Sequence, residues 1–504
     1  MTQPSRPAAG ASRYQAALSA LFLVAVVLMA TQYAVVLYGP AKVLIAPLGW
    51  HGPEVFAEEP AAQAPGLYVI NWRTLDQVAY KLDDGRFLPP AEGVVALLFL
   101  LALPALLMVG WRRQVWPRYP VVMLVLLGLL SCLSARSFGA ALRENVQLVL
   151  TALVTWWLAG LAVVDGEQAK RLNRLLAVVT VLLVAYAGAE YWFAIIKPAR
   201  EAELPELVRA TCASRTAFSG LMTMLLALGF GRVLAAGNFI VAILWIAVCA
   251  FGAARLMAGG AVLAVLVAGV AMMAVRGLRS GLVGVVLVPL GLAVALYGSS
   301  GHHLDHLRAS LGFYRYAGRQ RVGVEKRYLE MAASYNGLGA SAEVTAAEPD
   351  ATGSLPVTGT RSNLLTGVGA GLNYQQTIGQ YYGGLDNPEK QEPDTYNLYL
   401  QLALQMGLFA ALAWAWLLLD GAASAWRAYE LHTDRGLRML ALGIFGACVG
   451  LLVFSVFGTV LVRGTGLLVF TLLGVAARLE WLGRPVEEPR AEPAAAPAPA
   501  PAPA

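Results

Sequence analysis

Apolar residues gather along this chain into long blocks, with polar residues confined to the stretches between them. Each block has about the 17–25 residues that a helix needs to cross a hydrocarbon layer of roughly 30 Å. The pattern predicts spans near 14–38, 91–110, 119–134, 146–164, 175–196, 216–231, 238–254, 258–275, 280–298, 396–420, 438–457 and 464–482. The expected fold is therefore an all-α polytopic membrane protein of about 12 transmembrane helices. Nine fall within 1–298 and three within 396–484, separated by a long loop at 299–395.

Lys and Arg in the short connections set the expected orientation. With a cytoplasmic N-terminus, seventeen fall on the inner side, among them Arg13, Arg112, Arg113, Arg118, Lys170, Arg427 and Arg484, against eight outside. Both termini are thus expected inside, with the loops at about 39–90 and 299–395 outside. The second loop carries Tyr314, Tyr328, Leu364, Tyr374 and Tyr381, enough apolar surface to fold against the membrane part. Helix is expected within 305–336, interrupted near Gly318 and Gly323, with a flexible insert at 339–361. The Pro/Ala run of 485–504 reads as a disordered cytoplasmic tail, and the first apolar block lacks a small-residue cleavage site.

Composition agrees with the pattern: 58% hydrophobic, 13% charged and a mean hydropathy of +0.61 exclude a water-soluble domain, which carries about a quarter charged residues. The formal charge of +6 resides in loops between spans, so it reports topology and not a nucleic-acid partner. Cys132, Cys212, Cys249 and Cys448 are too scattered for a disulfide framework or a metal knuckle.

Arginines at the expected outer face are the strongest chemical signal, since a guanidinium beside hydrocarbon is costly and is kept for a partner. Arg136, Arg143, Arg209, Arg215, Arg255 and Arg463 all fall on that side. Arg255 stands in a very short turn between two apolar blocks. Each arginine alone can snorkel to headgroups; six together suit a shared anionic ligand, because the planar fork fits phosphate oxygens.

Three further stretches carry polar groups. In PDTYNLYLQLALQMG, Asp394, Thr395, Tyr396 and Asn397 open a span, and Gln401 and Gln405 share one helix face. Asp394 or Thr395 as a plain helix cap, with glutamines bonding neighbouring spans, is the alternative. In SNLLTGVGAGLNYQQ, Gly367, Gly369 and Gly371 lack the strand and helix of a dinucleotide fingerprint, so a tight turn against a bulky ligand or another loop is expected. In the cluster His302, His303, Asp305 and His306, His302 and His306 lie one helical turn apart without a further ligand pair, and His51 and His432 stand alone, so no metal site is expected.

These features together resemble the O-antigen ligase and O-antigen polymerase superfamily. There a long external loop ends in Gly-Val-Gly-x-Gly, a His-Asn-x-x-Leu stretch opens a membrane helix, and Glu-x-Gly follows two turns on. The corresponding residues are Gly367-Val368-Gly369-Ala370-Gly371, Tyr396-Asn397-Leu398-Tyr399-Leu400 and Gln405-Met406-Gly407. Arg209-Ala210-Thr211 through Arg215-Thr216-Ala217-Phe218, and Ala254-Arg255, are similar to the family's earlier arginine motifs. The chain departs where the family has histidine and glutamate, at Tyr396 and Gln405. A tyrosine with pKa near 10 is a poor base at neutral pH, so the family's histidine role does not carry over.

The resemblance implies a membrane-embedded glycosyltransferase that polymerises undecaprenyl-diphosphate-linked oligosaccharide at the outer face of a bacterial inner membrane, without metal or cofactor. Arg209, Arg215 and Arg255 would clamp the diphosphate, with Arg136 and Arg361 as further candidates. Tyr396 and Asn397 would position a sugar, Gly367, Gly369 and Gly371 would shape the pocket, and the long loop would cover it. The implied partners are the lipid-linked donor, a glycan or lipid-linked acceptor, the membrane, and a chain-length regulator. Ligation of a finished polymer to a lipid or protein is the rival within the class. A transporter or lipid-linked glycan flippase is the rival outside it, against which stand the absence of an internal repeat and the scarcity of acidic residues in the spans, Glu190 being the main exception. A non-catalytic glycan-binding scaffold is a third.

Overall fold

The computed structural model describes residues 9–31, 33–38, 42–47, 67–68, 86–88, 90–108, 115–135, 138–192, 210, 212, 215–235, 239–257, 259–277, 366–367, 369, 397–461 and 463–484. The expected span at 280–298, the helix within 305–336, the insert at 339–361 and the tail lie outside these residues.

The described residues form a bundle of apolar helices. In chain order these are α1 (Ala9–Thr31), α2 (Pro90–Met108), α3 (Tyr119–Ser131) and α4 (Phe138–Val149). A π-helical turn, Leu150–Val154, then leads from α4 into α5 (Thr155–Ala162). There follow α6 (Gly166–Tyr191), α7 (Arg215–Ala235), α8 (Phe239–Phe251) with a second π turn at Gly252–Leu256, and α9 (Gly259–Val275). The last four are α10 (Leu398–Met406), α11 (Leu408–Leu431), α12 (Arg435–Phe454) and α13 (Arg463–Gly483). Seven of the helical stretches are long and apolar enough to cross a membrane by length and composition, and four more apolar helices are shorter.

Local chemistry explains the helix starts. Asp165 caps α6 by accepting from Gln168 N at 2.8 Å, while Gln168 Oε1 reaches back to accept from Val164 N, the residue before the cap, at 2.7 Å. Asp434 caps α12 by accepting from Gly436 N at 2.8 Å and Leu437 N at 3.1 Å.

α7 is the central element, because Ala217–Leu228 is buried on every side. A helix apolar all round finds its place inside a bundle. It meets α12 through small residues: a Cβ at Gly231 would lie 2.9 Å from Met439 O, and one at Gly443 would lie 2.9 Å from Leu228 Cα. The absence of side chains there lets the two backbones approach, which is how membrane helices gain packing energy without a hydrophobic drive between them.

Three expectations need correction. The first block does not continue as helix to residue 38. It ends at Thr31, and Tyr33–Tyr38 becomes strand β1 of a four-stranded sheet with β2 (Lys42–Pro47), β3 (Leu67–Tyr68) and β4 (Arg86–Leu88), in the order β3-β2-β1-β4. β1 and β2 are antiparallel with Tyr33 opposite Pro47 and Tyr38 opposite Lys42. The stretch YAVVLY is rich in β-branched and aromatic residues, and an unbroken apolar run carries no period to tell strand from buried helix. The class is thus helical with a small sheet between the first two helices. Second, the tenth span is not continuous: Gly407, at φ +92°, separates α10 from α11. Third, acidic residues in the helices are not limited to Glu190, since α11 carries Asp420 and α13 carries Glu480, the latter 2% exposed.

Candidate functional site

The helices alternate in direction, so the bundle has two ends of different chemistry. The motif end is where α7 and α13 begin and where α3, α8 and α12 finish. Its scaffold is the turn after α12. Ser455 O accepts from Leu398 N at 2.7 Å, Ser455 Oγ accepts from Trp414 Nε1 at 3.0 Å and donates to Leu451 O at 2.7 Å, and Tyr399 OH donates to Leu452 O at 2.9 Å. The start of α10 is thereby pinned to the end of α12.

The cap of α10 is Asn397, whose side chain accepts from Leu400 N at 3.1 Å. This side chain, expected to position a sugar, is engaged in starting the helix; the candidate caps Asp394 and Thr395 lie outside the described residues. Gln401 and Gln405 stand one turn apart on α10, both half-buried, and Gln401 Oε1 has no hydrogen-bond partner among the described residues.

Gly367 and Gly369 dock between the ends of α10 and α3. Gly369 N donates to Gln405 O at 3.1 Å, satisfying a carbonyl that the end of α10 leaves open. Ser134 Oγ lies 3.3 Å from Thr366 O, which ties the same turn to the end of α3. Both glycines are buried with positive φ, +65° and +92°. A Cβ at Gly367 would run into Leu404 O and would lie 2.6 Å from Gln405 C; one at Gly369 would lie 2.6 Å from Ala135 Cβ. The turn expected against a ligand or another loop is therefore packed on helix ends and their backbone.

Arg215 is the first residue of α7, Arg255 lies in the π turn after α8, and Arg463 is the first residue of α13. All three are backbone positions at the motif end. The antiparallel packing is fixed by Gly252 against Met222 and Leu226, and by Gly220 and Gly260 against Phe454 and Phe457. Arg143 is exposed on α4. Arg136, Arg209, Arg361, Gly371 and Tyr396 lie outside the described residues. Next to Arg209, buried Ala210 takes φ +48°, the left-handed region that a residue with a Cβ seldom adopts. Neither this conformation nor the π turn at Arg255 has a signature in the residue pattern, and both are features that recur at functional sites.

The other end is ionic, and its core was not foreseen. Glu480 accepts from Arg427 Nε at 2.9 Å and Nη2 at 3.2 Å, from Arg484 Nη2 at 2.6 Å and from Arg118 Nη2 at 2.5 Å. Those four bonds occupy about the four lone-pair sites of a carboxylate. Arg118 Nη1 reaches both oxygens of Asp420, at 2.8 and 3.0 Å. Burial pulls the Arg118 pKa down, but the bonds to Glu480 and Asp420 outweigh it and raise it above the usual value. The network ties the start of α3 to α11 and α13. The signal that could have found it is Glu480 itself, an acid within an apolar block. Lys170 bridges Glu167 and Asp434 at 2.9 and 2.8 Å, joining α6 to the start of α12. Among the described residues no group of three His, Cys, Asp or Glu side chains is placed to hold a metal ion.

No protein-family model and no curated protein matches this chain. The likeness to O-antigen ligases and polymerases accordingly rests on the motifs quoted above.

Proposed function

We propose that the protein is a membrane-embedded glycosyltransferase, a polymerase that lengthens a surface glycan from undecaprenyl-diphosphate-linked oligosaccharide. The observation that carries the reading is convergence. The backbone at Arg215 and Arg255, far apart in sequence, lies at the same end of the bundle as the Gly367–Gly369 turn and the capped start of α10. In this reading the motif end faces the periplasm. The ionic end, rich in Arg118, Lys170, Arg427, Arg435, Arg438 and Arg484, faces the cytoplasm with both termini, as the positive-inside rule requires. The spans number twelve when 280–298 is included, and the membrane is the bacterial inner membrane.

The chemistry asks little of a base. The bond from the anomeric carbon to the diphosphate oxygen breaks, and its electron pair leaves on the diphosphate. The acceptor hydroxyl oxygen bonds to the anomeric carbon, and its proton passes to the departing diphosphate or to water. Guanidinium groups from Arg209, Arg215 and Arg255, with Arg136 and Arg361 as further candidates, neutralise the charge that builds on the departing diphosphate, where a fixed donor in a dry site is worth roughly 3–4 kcal/mol. Tyr396 orients a sugar hydroxyl.

The test is incubation of the purified protein in detergent with a lipid-diphosphate oligosaccharide, with and without chelator. A ladder of longer lipid-linked chains that survives chelation supports the reading. Arg255→Ala and Arg215→Ala should each slow elongation about 100- to 1,000-fold with unchanged helical content. A requirement for divalent metal, or full activity in both variants, overturns it. Transfer of an intact polymer to a non-polymer acceptor, without elongation, identifies a ligase instead.

A further inference from the structure

Where α3 begins beside the middle of α11, the ionic end opens into a groove of about 550 Å³, lined by Trp116, Arg118, Tyr119, Val122, Trp416 and Asp420. Its rings are open to the outside: Tyr119 is 84% exposed and Trp416 48%. Its polar floor is the Arg118–Asp420 pair, whose side chains are 24% and 22% exposed. Trp and Tyr rings at this level are the usual furniture of a membrane–water boundary.

The charges select the occupant. The groove itself presents one cation and one anion, Arg118 paired with Asp420, so a purely anionic ligand would meet Asp420 and a purely cationic one would meet Arg118. A zwitterion with phosphate beside ammonium satisfies both. Among the described residues the bonds to Asp420 and Glu480 number three, against about five N–H donors on a guanidinium, which leaves donors there for a phosphate oxygen. An ammonium group sits favourably against aromatic faces and beside a carboxylate.

Apolar surface leads away from the groove in the direction acyl chains require. Tyr119, Val122 and Leu126 share one face of α3 at spacings of three and four, and Leu412 and Trp416 do the same on antiparallel α11; all are exposed. The two ridges place exposed apolar side chains on α3 and α11 from the groove toward the motif end.

We propose that this groove is a binding site for an aminophospholipid of the phosphatidylethanolamine type. Its ammonium lies among the Trp116, Tyr119 and Trp416 rings against Asp420, its phosphate lies on Arg118, and its chains lie along the apolar ridges of α3 and α11. The inference is independent of the glycosyltransfer reading. It is tested on the full-length, delipidated protein by native mass spectrometry, titrating dioleoyl-phosphatidylethanolamine, -phosphatidylcholine and -phosphatidylglycerol. Phosphatidylethanolamine should bind at least about fivefold more tightly than phosphatidylglycerol, with phosphatidylcholine between them because it keeps the ring contacts and loses the hydrogen bond to Asp420. Trp416→Leu and Tyr119→Leu, both at exposed positions, should each weaken phosphatidylethanolamine binding roughly three- to tenfold. Phosphatidylglycerol binding as tightly as phosphatidylethanolamine, or wild-type retention of phosphatidylethanolamine in both variants, overturns the proposal.

Discussion

The two ends of the bundle spend polar groups in opposite ways. At the ionic end Glu480 takes bonds from three arginines, so that a charge inside an apolar helix is consumed by the fold. At the motif end the bonds join neutral groups, a Gly369 N–H on Gln405 O, a Leu398 N–H on Ser455 O and the Trp414 Nε1–H on Ser455 Oγ, while the amide oxygen of Gln401 has no hydrogen-bond partner among the described residues. The contrast teaches that a polar residue in a span marks either a fastener or a candidate site. What separates the two is whether its hydrogen-bonding capacity is used up.

The sharpest way to break this comparison is Glu480→Ala. Removing a buried partner commonly costs roughly 3–5 kcal/mol because the remaining charge is stranded. Arg427 and Arg484 are 48% and 62% exposed and can turn to water, and Arg118 keeps Asp420. The expected loss is therefore about 2–3 kcal/mol. Thermal unfolding in detergent should fall accordingly, while the proposed glycan elongation, measured per folded molecule, stays within about twofold, since none of the arginines proposed to hold the diphosphate is touched. Elongation that collapses with unfolding unchanged would make the ionic end a site and erase the distinction.

Gly367→Ala probes the other end. The left-handed φ of +65° costs a non-glycine residue about 1–2 kcal/mol. The added methyl also meets the backbone of Leu404 and Gln405, which cannot turn aside as a side chain could. A loss of about 2 kcal/mol is expected, and with it a fall in elongation per folded molecule, because the turn and the start of α10 hold each other in place. Differential scanning fluorimetry alongside the elongation assay separates the effects: lost stability without lost elongation would reduce the glycine turn to packing.

The membrane part was legible because burying a helix in lipid demands long apolar blocks, and the blocks at 175–196, 216–231 and 438–457 recur as α6, α7 and α12 with shifted ends. Legibility failed where one residue string serves two structures. Tyr33–Tyr38 is as apolar as a span and pairs as a strand. The Gln405-Met406-Gly407 stretch was readable as a motif, yet Gly407 also breaks the helix, through a backbone angle that the letters do not carry. The ionic network was hidden for another reason. Arg118 lies 302 residues from Asp420 and 362 from Glu480 in sequence, and no local spacing announces such a pair.

The smallest expected effect concerns Asp434, which carries both a fastener and a cap. The hydrogen bond from Lys170, and then the backbone N–H of Leu437, hold its carboxyl below the ordinary carboxylate range. A folded-state pKa below the unfolded one means that the stabilisation is complete above the unfolded value, near 3.9, and is lost as pH falls through the folded value. The protein should therefore show no Asp434-dependent change in stability near neutrality and a decline below about pH 4. Asp434→Ala should cost about 1 kcal/mol at pH 7 through the lost cap of α12. Asp434→Asn keeps an oxygen for Gly436 N and Leu437 N and removes the charge facing Lys170. Because that ion pair is 30% and 42% exposed, its loss should cost less than the lost cap and vanish in high salt. Denaturation curves at low and high salt for the two variants decide the matter. If asparagine is as damaging as alanine, the Lys170 bridge and not the cap holds α6 to α12, and even the exposed rim of the ionic end works by charge.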